Sequence, residues 1–232
     1  MRKISPAQIA VFAGLFTAAA LLALATACLL VTPQRSGNFH GVAWLLVFIL
    51  SFYLWAIAAY RLSHRFLPLV EGELPPGSPG EFAYQVDTLF RLVLFYPLIR
   101  TYFIPTPLMR LVYLALGARM GDNTYSGGAI LDPALTELGA NTIIGHDAVL
   151  FSHELEGEHM ALQRIRIGDN VTIGAKATVM AGVQVGDGAI VSVGAVVTKG
   201  TVIGPGETWG GTPARRLSPA TVADEQGASP DA

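Results

Sequence analysis

Ser152 and His153 interrupt a regular repeat, and His153 is the residue that the sequence favours most for acid–base chemistry. A histidine, with a reference pKa near about 6.5, can take up and release a proton at neutral pH. Such a group can act as a general base, because a hydroxyl or an amine must lose a proton when it attacks a carbonyl carbon. The neighbouring Glu154 and Glu156 are candidates for orienting the imidazole, although sequence position alone places neither of them.

The elements that must hold this histidine are short strands, because aliphatic residues recur at every sixth position. The residues on this step are Leu138, Ile144 and Leu150, and then Ile167, Ile173, Val179, Val185, Val191, Val197, Ile203 and Trp209. Three positions further on stand Asn, Asp or Gly, which tolerate a positive φ, and only Lys176 departs from this rule. Three such units, each a short strand and a turn, would close a triangular coil with the aliphatic side chains inside.

The repeat is broken in two places. Ser126 and Asp132 fall on aliphatic positions, which predicts a distorted first coil there. Leu150 and Ile167 are 17 residues apart, so the six-residue phase slips between them. A loop over residues 154–164 is therefore expected to protrude from the coils, immediately after the candidate histidine.

Three runs of sequence resemble the hexapeptide-repeat acyltransferases, namely Arg166–Gly174, Gly194–Lys199 and Gly210–Arg215. The resemblance implies a left-handed parallel β-helix, a homotrimer and acetyl-CoA as the acyl donor. We assign the β-helix to residues 119–217. The predicted fold class is therefore membrane α plus all-β.

The resemblance also implies a role for His153. In the sugar acetyltransferases of this superfamily, a loop leaves the β-helix at the place of residues 154–164, and a histidine at its base is the general base. The order of Ser152-His153, an acidic loop and Arg166–Gly168 is similar to that in the β-helical terminal domains of polylysine synthetases. General-base catalysis on a hydroxyl or an amine is the expectation.

The other loop histidines, His146 and His159, are weaker candidates, since such a residue is usually a solvated surface group. Together with His153 they are also a candidate metal site, as in the γ-class carbonic anhydrases of this fold. Their spacings of seven and six residues lack the ligand spacing of that class, so no metal is expected.

The resemblance places acetyl-CoA against the C-terminal coils. The implied contact residues are Gly174, Ala175, Gly194, Ala195, Thr198, Lys199 and Arg215. The small residues would let the pantetheine arm lie between subunits, and the polar and cationic residues would approach the phosphates. The alternative is that Lys199 and Arg215 are ordinary surface charges. Thr172 departs from the aromatic residue that sugar acetyltransferases often carry, which leaves the contacts there open.

Residues 1–66 have the composition of a transmembrane hairpin. The chain is 52% hydrophobic and 14% charged, and its apolar surplus lies mainly in the first half. Ile9–Val31 and Val42–Tyr60 carry no charge, and about 20 apolar residues cross the hydrocarbon core as a helix. The flanking cations place both ends in the cytoplasm, which predicts an inner-membrane protein with a cytoplasmic β-helix. A cleaved signal peptide ending near Ala25–Cys28 is the alternative.

Residues 67–118 form a linker rich in Pro and Gly, followed by apolar segments that prolines divide. We predict amphipathic helices on the membrane surface, with arginines towards water and Phe, Leu and Tyr towards lipid. A third crossing and a buried subunit contact are the alternatives. The tail over residues 218–232 is small, acidic and rich in Ala and Pro, which predicts disorder.

Three functions stay open from the sequence. The first is an acyltransferase that acts on a membrane-associated acceptor, such as a lipid-linked sugar or an envelope-glycan precursor. The second is amide formation on an amino acid or peptide, and the third is a non-catalytic trimeric membrane scaffold. The formal net charge of −2 gives no electrostatic reason to expect nucleic acid as a partner.

Overall fold

The structure, a computed structural model, describes residues 2–32, 37–101 and 103–219. In these residues it separates into two compact units. The helical unit comprises Met1–Ala118, Leu131–Leu135 and Ser152–Gln163, and the coil unit comprises Arg119–Ile130, Thr136–Phe151 and Arg164–Ala232. Two short segments from the region of the repeat therefore belong to the helical unit.

The helical unit contains five α-helices in its described residues. They are α1 Pro6–Leu30, α2 His40–Phe66, α3 Pro79–Phe90, α4 Tyr96–Arg100 and α5 Thr106–Ala115. A 3-10 turn, Gly37–Phe39, precedes α2, and a π-helical turn, Arg91–Phe95, joins α3 to α4. α1 and α3 begin after Ser5 and Ser78, whose hydroxyls accept a backbone N–H of the first turn. A proline then fills the first helical position of each, where no backbone donor is needed.

The two long helices α1 and α2 correspond to the predicted hairpin. Their buried residues are mostly small, and they include Ala19, Ala23, Ala27, Ser51 and Ala56. Small side chains let two helix backbones approach closely, which is the usual packing of helices in lipid. The larger aliphatic side chains, such as Leu24 and Leu50, are exposed on the outside.

Three helices of the described chain are long and apolar enough to cross a membrane, namely Pro6–Leu30, Gly37–Phe66 and Pro79–Arg100. The first two contain nearly all of the two predicted apolar stretches. The third falls in the segment predicted to be interfacial, and it differs from the others in burial. In the third helix, 56% of the most apolar stretch of 18 residues is buried inside the protein, compared with 11% of the corresponding stretch in each of the other two.

The prediction that the arginines of residues 67–118 face water is wrong for Arg91. Its side chain is 4% exposed and forms an ion pair with Asp87, one helical turn earlier. Phe90 is also buried, whereas Leu92 is exposed. Sequence composition treats every cation as a surface group, but a cation that has a buried carboxylate partner can lie inside.

The described strands are short, as the six-residue repeat predicts. In chain order they are β1 Gly72–Glu73, β2 Arg119–Met120, β3 Tyr125–Ser126, β4 Ala129–Ile130, β5 Thr136–Leu138, β6 Ile143–Ile144, β7 Val149–Leu150, β8 His153–Glu156, β9 His159–Leu162, β10 Ile165–Ile167, β11 Thr172–Ile173, β12 Thr178–Val179, β13 Gln184–Val185, β14 Ile190–Val191, β15 Val196–Val197, β16 Val202–Ile203, β17 Glu207–Gly211 and β18 Ala214–Pro219. Those of the coil unit before β18 form three parallel sheets, ordered β2-β5-β10-β13-β16, β3-β6-β11-β14-β17 and β4-β7-β12-β15. A chain that visits three sheets in turn is a parallel β-helix, which fits the predicted left-handed fold.

Successive coils stack in register at the spacing that the repeat predicts. Arg166 pairs with Gln184, which is 18 residues further on. Ile143 pairs instead with Thr172, 29 residues further on, because the chain leaves the coils between them. The 11 additional residues equal the length of the predicted loop over 154–164.

The protruding loop is a β-hairpin that belongs to the helical unit. β8 and β9 pair antiparallel, and β1 adds a third strand along β9. Gly157 forms the tip with a φ of +63°, a conformation that glycine adopts at little cost. Behind the hairpin, Met160 and Leu162 pack with Leu74 and Tyr84 in one buried cluster, which holds the hairpin in place.

The turn positions that the sequence predicts to need a positive φ have one. Their φ values lie between 53° and 72° for Asn141, Asp147, Asn170, Gly182, Gly188, Gly194, Gly200 and Gly206. Lys176 breaks the residue-type rule and still adopts a φ of 59°. The geometry of the coil therefore overrides the preference of this side chain.

The predicted disordered tail of residues 218–232 overlaps the last strand. β18 runs to Pro219 and pairs antiparallel with β17. Residues 220–232 lie outside the described part of the chain.

Gly174→Ala is expected to destabilise the coil unit, because neighbouring coils approach closely at Gly174. A Cβ at this position would lie 2.5 Å from the backbone nitrogen of Val193 and 2.6 Å from the carbonyl carbon of Ser192. Backbone atoms do not move aside easily, so we expect the free energy of unfolding to fall by about 1–3 kcal/mol. Thermal unfolding of the detergent-solubilised protein measures the change. Gly14→Ala, where a Cβ meets nothing within 4 Å, is the control, and equal midpoints for the two variants would contradict the expectation.

Candidate active site

His153 is the first residue of β8, where the chain leaves the coils for the hairpin. Its side chain is 21% exposed, and Nδ1 lies 2.7 Å from Oδ2 of Asp132. Asp132 follows β4 and stands 21 residues earlier in the sequence. Both residues belong to the helical unit, through its segments Leu131–Leu135 and Ser152–Gln163. The structure thus pairs the candidate base with a carboxylate from a distant part of the chain.

Asp132 is a buried carboxylate that stays ionised. Burial acts to raise its pKa, but the guanidinium of Arg91 at 2.7 Å and the hydrogen bond with His153 outweigh burial and hold the pKa at about 2. The backbone N–H of Ser152 also donates to Oδ2, at 2.7 Å. An ionised carboxylate only accepts hydrogen bonds, so Nδ1 of His153 carries a proton and Nε2 is the basic nitrogen.

Asp132 is the partner that reasoning from the sequence did not identify. The signal was present, because Asp132 occupies a repeat position where an aliphatic residue is expected. The two acidic neighbours of His153 have other surroundings. Oε2 of Glu154 lies 3.9 Å from Nε2 of His159, and Glu156 is exposed on β8.

The groups next to His153 do not offer a nucleophile for covalent catalysis. Ser152 is fully buried, and its hydroxyl donates to the carbonyl oxygen of Leu135 at 3.0 Å. Cys28 lies elsewhere, in α1, among the apolar residues of the predicted transmembrane hairpin. The ring of Tyr84 from α3 packs near the imidazole, with a centroid distance of 6.3 Å. The arrangement therefore suits a histidine that acts directly as a general base.

A cavity of about 370 Å³ lies beside this site and shares Tyr84 with it. Its walls come from three segments: the residues ahead of α1, including Arg2 and Ile4; α3 with its π-helical extension; and the hairpin. The guanidinium of Arg2 donates to the carbonyl oxygens of Leu74 and Glu158, at 2.5 and 2.6 Å, which fixes one wall. The lining combines apolar side chains with a few polar groups, as is usual for small-molecule sites.

The predicted CoA residues all belong to the coil unit. Gly194, Lys199 and Arg215 are exposed, and Thr198 is half-buried with its hydroxyl 3.3 Å from that of Thr201. These four are accessible to a ligand in the single chain. Their contact with CoA stays a prediction.

The remaining predicted CoA residues are tied to the packing of the coils. Ala195 is fully buried, so its side chain fills the coil interior and only its backbone could meet a ligand. Gly174 is required by the close approach of the next coil. The carbonyl oxygen of Ala175 accepts the backbone N–H of Gly194 at 2.9 Å, which links two coils.

The three loop histidines do not form one cluster. His146 belongs to the coil unit, whereas His153 and His159 belong to the helical unit. Nδ1 of His159 lies 3.6 Å from a carboxylate oxygen of Glu73. Within residues 2–32, 37–101 and 103–219, no three His, Cys, Asp or Glu side chains are grouped as a metal site.

Residues 164–199 match the family model described as the hexapeptide repeat of succinyl-transferase. The match agrees with the six-residue step of the strands in this part of the coil unit. The matched segment covers β10 to β15 and includes the predicted CoA residues Gly174 to Lys199. No curated protein matches the chain.

Several solved structures are similar to part or most of this chain. A hexapeptide-repeat containing acetyltransferase from Vibrio cholerae is 26% identical, over 45% of this chain and 63% of its own length, with a TM-score of 0.42. A galactoside acetyltransferase in complex with coenzyme A is 20% identical, over 57% of this chain and 80% of its own length, with a TM-score of 0.43. Soybean serine acetyltransferase is 20% identical, over 88% of this chain and 69% of its own length, with a TM-score of 0.39. The chain thus spans less than two thirds of the length of the Vibrio cholerae protein.

Proposed function

We propose that this chain is a membrane-anchored acyltransferase that moves an acetyl group from acetyl-CoA to a membrane-associated acceptor. The observation that carries the proposal is the pair of His153 and Asp132, which leaves Nε2 as a basic nitrogen at the foot of the hairpin. The hexapeptide repeats support the same reading, since the matching family model is named for succinyl transfer. The acceptor group is a hydroxyl or an amine of a lipid-linked sugar or a similar envelope precursor.

In the proposed reaction, Nε2 of His153 takes the proton of the acceptor as the acceptor oxygen or nitrogen bonds to the acetyl carbon. Acetyl-CoA supplies an activated thioester, so no covalent intermediate on the protein is needed. The histidinium then returns the proton to the leaving sulfur. One O–H or N–H bond and the C–S bond break, while an ester or amide bond and an S–H bond form. Asp132 keeps its negative charge and stabilises the histidinium.

We place the donor on the coil unit and propose a homotrimer. An exposed apolar row follows the outer face of one sheet, because Tyr125 pairs with Ile143, and Thr172 pairs with both Ile143 and Ile190. All four of these side chains are more than a third exposed in the single chain, and exposed patches that are mainly apolar commonly mark interfaces. The CoA residues proposed above would then serve a site completed by a second copy.

We place the acceptor in the cavity beside Tyr84. Arg2 and Ile4 line that cavity just ahead of α1, so it lies where the first apolar helix would leave the membrane. Gln85 and Thr88 supply uncharged polar groups on the α3 wall. An amphipathic acceptor could keep its apolar part in lipid and present its reactive group to the cavity.

We propose two membrane crossings, with α3 on the cytoplasmic surface. Arg2 forms an ion pair with Glu81 at 3.2 Å, which ties the start of α3 to the start of α1. The hydroxyl of Tyr60 donates to Asp87 at 2.8 Å, which ties the later part of α3 to the end of α2. Both ends of the α1–α2 hairpin carry cations and are cytoplasmic by the positive-inside rule, so α3 belongs on the cytoplasmic side too. Acetyl-CoA is available on that side.

Titration calorimetry of the protein in nanodiscs tests the donor. We expect micromolar-range binding of acetyl-CoA that weakens about tenfold in Lys199→Ala, because an ammonium group near a phosphate is lost. Arg119→Ala is the matched control, since this cation is 77% exposed on β2 and lies outside the predicted site. Equal weakening in the two variants would contradict a specific role for Lys199.

Release of the CoA thiol tests the reaction and the acceptor class. Short alkyl glycosides offer hydroxyl groups, and lysine and its alkyl amides offer amines. Faster release with glycosides supports ester formation, and faster release with amines supports amide formation. If the folded protein binds neither acetyl-CoA nor CoA, the proposal fails and a membrane scaffold is the better description.

A further inference from the structure

A line of buried charged groups continues beyond Asp132, away from His153. Nη1 of Arg91 lies 2.7 Å from Oδ1 of Asp132, and Nε of Arg91 lies 2.6 Å from Oδ2 of Asp87. The other oxygen of Asp87 accepts the hydroxyl of Tyr60 at 2.8 Å and lies 3.0 Å from Nε2 of His64. All of these residues belong to the helical unit. A continuous set of contacts therefore links α2 to the histidine.

The three central side chains of this line are almost completely buried. Arg91 is 4% exposed, Asp87 is 2% exposed and Asp132 is 3% exposed. Taking charges out of water is costly, and apolar side chains of similar volume often give equal or greater stability. Stability alone therefore does not account for the cluster, and its effect on geometry is the more informative property.

We infer that Arg91 and Asp87 are positioning residues for His153, which they reach through Asp132. This inference rests on the proposed acyl transfer. Each oxygen of Asp132 has its own partners: Arg91 holds Oδ1, while Oδ2 faces His153 and the backbone N–H of Ser152. Nη1 of Arg91 also donates to the carbonyl oxygen of Leu131 at 3.0 Å. Arg91 thus fixes both the carboxylate and the backbone that carries it.

Asp87 has the matching task of fixing Arg91. Asp87 lies one turn earlier on α3, and its Oδ2 accepts the Nε–H of Arg91. The guanidinium is therefore held at Nε by Asp87 as well as at Nη1 by Asp132. Nη2 of Arg91 donates to the hydroxyl of Thr88 at 3.2 Å, which leaves the group little freedom to rotate. The helix changes from α to π geometry at Arg91, and such local changes often serve to aim a functional side chain.

The main test compares the kinetics of Arg91→Met and Arg91→Lys. Loss of the guanidinium lets Asp132 turn, and a misplacement of about 1 Å can reduce turnover on the order of 100-fold. We expect Arg91→Met to lower kcat about 30-fold or more, with the KM for acetyl-CoA within about threefold of the wild-type value. Arg91→Lys keeps the charge and should recover part of the loss. Arg100→Met changes an exposed arginine on α4 and should leave kcat unchanged.

Two milder variants keep the inference testable if Arg91→Met does not fold. Asp87→Asn preserves the volume and should lower kcat about tenfold, and Tyr60→Phe removes one hydrogen bond and should lower kcat about threefold. Binding of acetyl-CoA, measured by calorimetry, reports the folded fraction of each sample. If kcat per binding site stays at the wild-type value in both variants, Asp87 does not position the histidine.

A spectroscopic readout separates failure of this inference from failure of the proposed reaction. In protein labelled with 15N-histidine, the Nδ1–H of His153 should give a downfield proton resonance, identified by its loss in His153→Ala. We expect Arg91→Met and Asp87→Asn to shift or broaden this resonance, and Arg100→Met to leave it in place. An unchanged resonance in the first two variants would overturn the inference, even if no acetyl transfer is found in the wild type.

Discussion

His153→Ala is expected to lower kcat for acetyl transfer by at least about 100-fold, because general-base catalysis contributes about 10²–10⁴-fold. The imidazole is one-fifth exposed, and its Nδ1 is held by Asp132. Among the described residues, no other histidine is both oriented by a buried carboxylate and placed at the base of the β-hairpin. Binding of acetyl-CoA should remain, since the predicted donor residues belong to the other unit.

Release of the CoA thiol, followed with and without acceptor, measures this effect. His146→Ala is the matched control, because His146 is 69% exposed in the coil unit and its Nε2 lies 3.6 Å from a carboxylate oxygen of Asp147, which is itself 39% exposed. This control should keep at least half of the wild-type rate, while His153→Ala should fall towards the rate without enzyme. A His153→Ala variant that is folded, binds acetyl-CoA and turns over normally would remove the general base from the proposal.

Asp132→Asn is expected to have an effect of similar size, a loss in kcat of about 100- to 1,000-fold. An asparagine can present its NH₂ group to Nδ1 of His153, which favours the tautomer with the proton on Nε2. That tautomer cannot accept a proton from the acceptor. The change also removes one of the two carboxylates that face Arg91.

The volume of the side chain is preserved in Asp132→Asn, so the loss should appear in kcat and leave binding of acetyl-CoA intact. Asp187→Asn is the control, since its exposed carboxylate accepts one backbone N–H, from Asp169 at 2.8 Å, and an amide oxygen can replace it. If both variants retain wild-type turnover, the carboxylate next to His153 does not set its tautomer.

The same substitution also changes how stability depends on pH. The pKa of Asp132 is about 2 in the folded protein, below the ordinary value of 3.8. Its ionised form therefore adds stability that is fully present above about pH 4 and is lost as the pH falls towards 2, on the order of 2 kcal/mol. Unfolding midpoints at several acidic pH values should show a smaller decline for Asp132→Asn than for the wild type.

The coils could be predicted from the sequence because their determinants are local. Each six-residue unit carries its own inward aliphatic residue and its own turn residue. Asn170 and Gly188 therefore predict a positive φ at their own positions without knowledge of the rest of the chain. The position and length of the insertion at 154–164 follow from the slip in phase. The three-sheet register then repeats the same local rule.

The carboxylate partner of His153 could not be predicted in the same way. Asp132 lies 21 residues away, and its approach depends on how two segments fold into the helical unit. Its misfit in the repeat marked the position as unusual but did not say what it contacts. Arg91 is a harder case, because it is 41 residues from Asp132 and lies in a segment whose composition suggested a surface helix. Long-range ion pairs leave no periodic trace in a sequence.

The assignment of His153 and Asp132 to the helical unit bears on how such a chain can be shortened or recombined. In the proposed enzyme the apolar helices are more than a tether, since α2 and α3 supply the line of contacts that ends at the histidine. A hybrid that joins the coils to another anchor would need to keep both the hairpin and the region from Tyr60 to Arg91. In the proposed enzyme, the helices that attach the chain to the membrane are thus also the ones that hold the histidine in place.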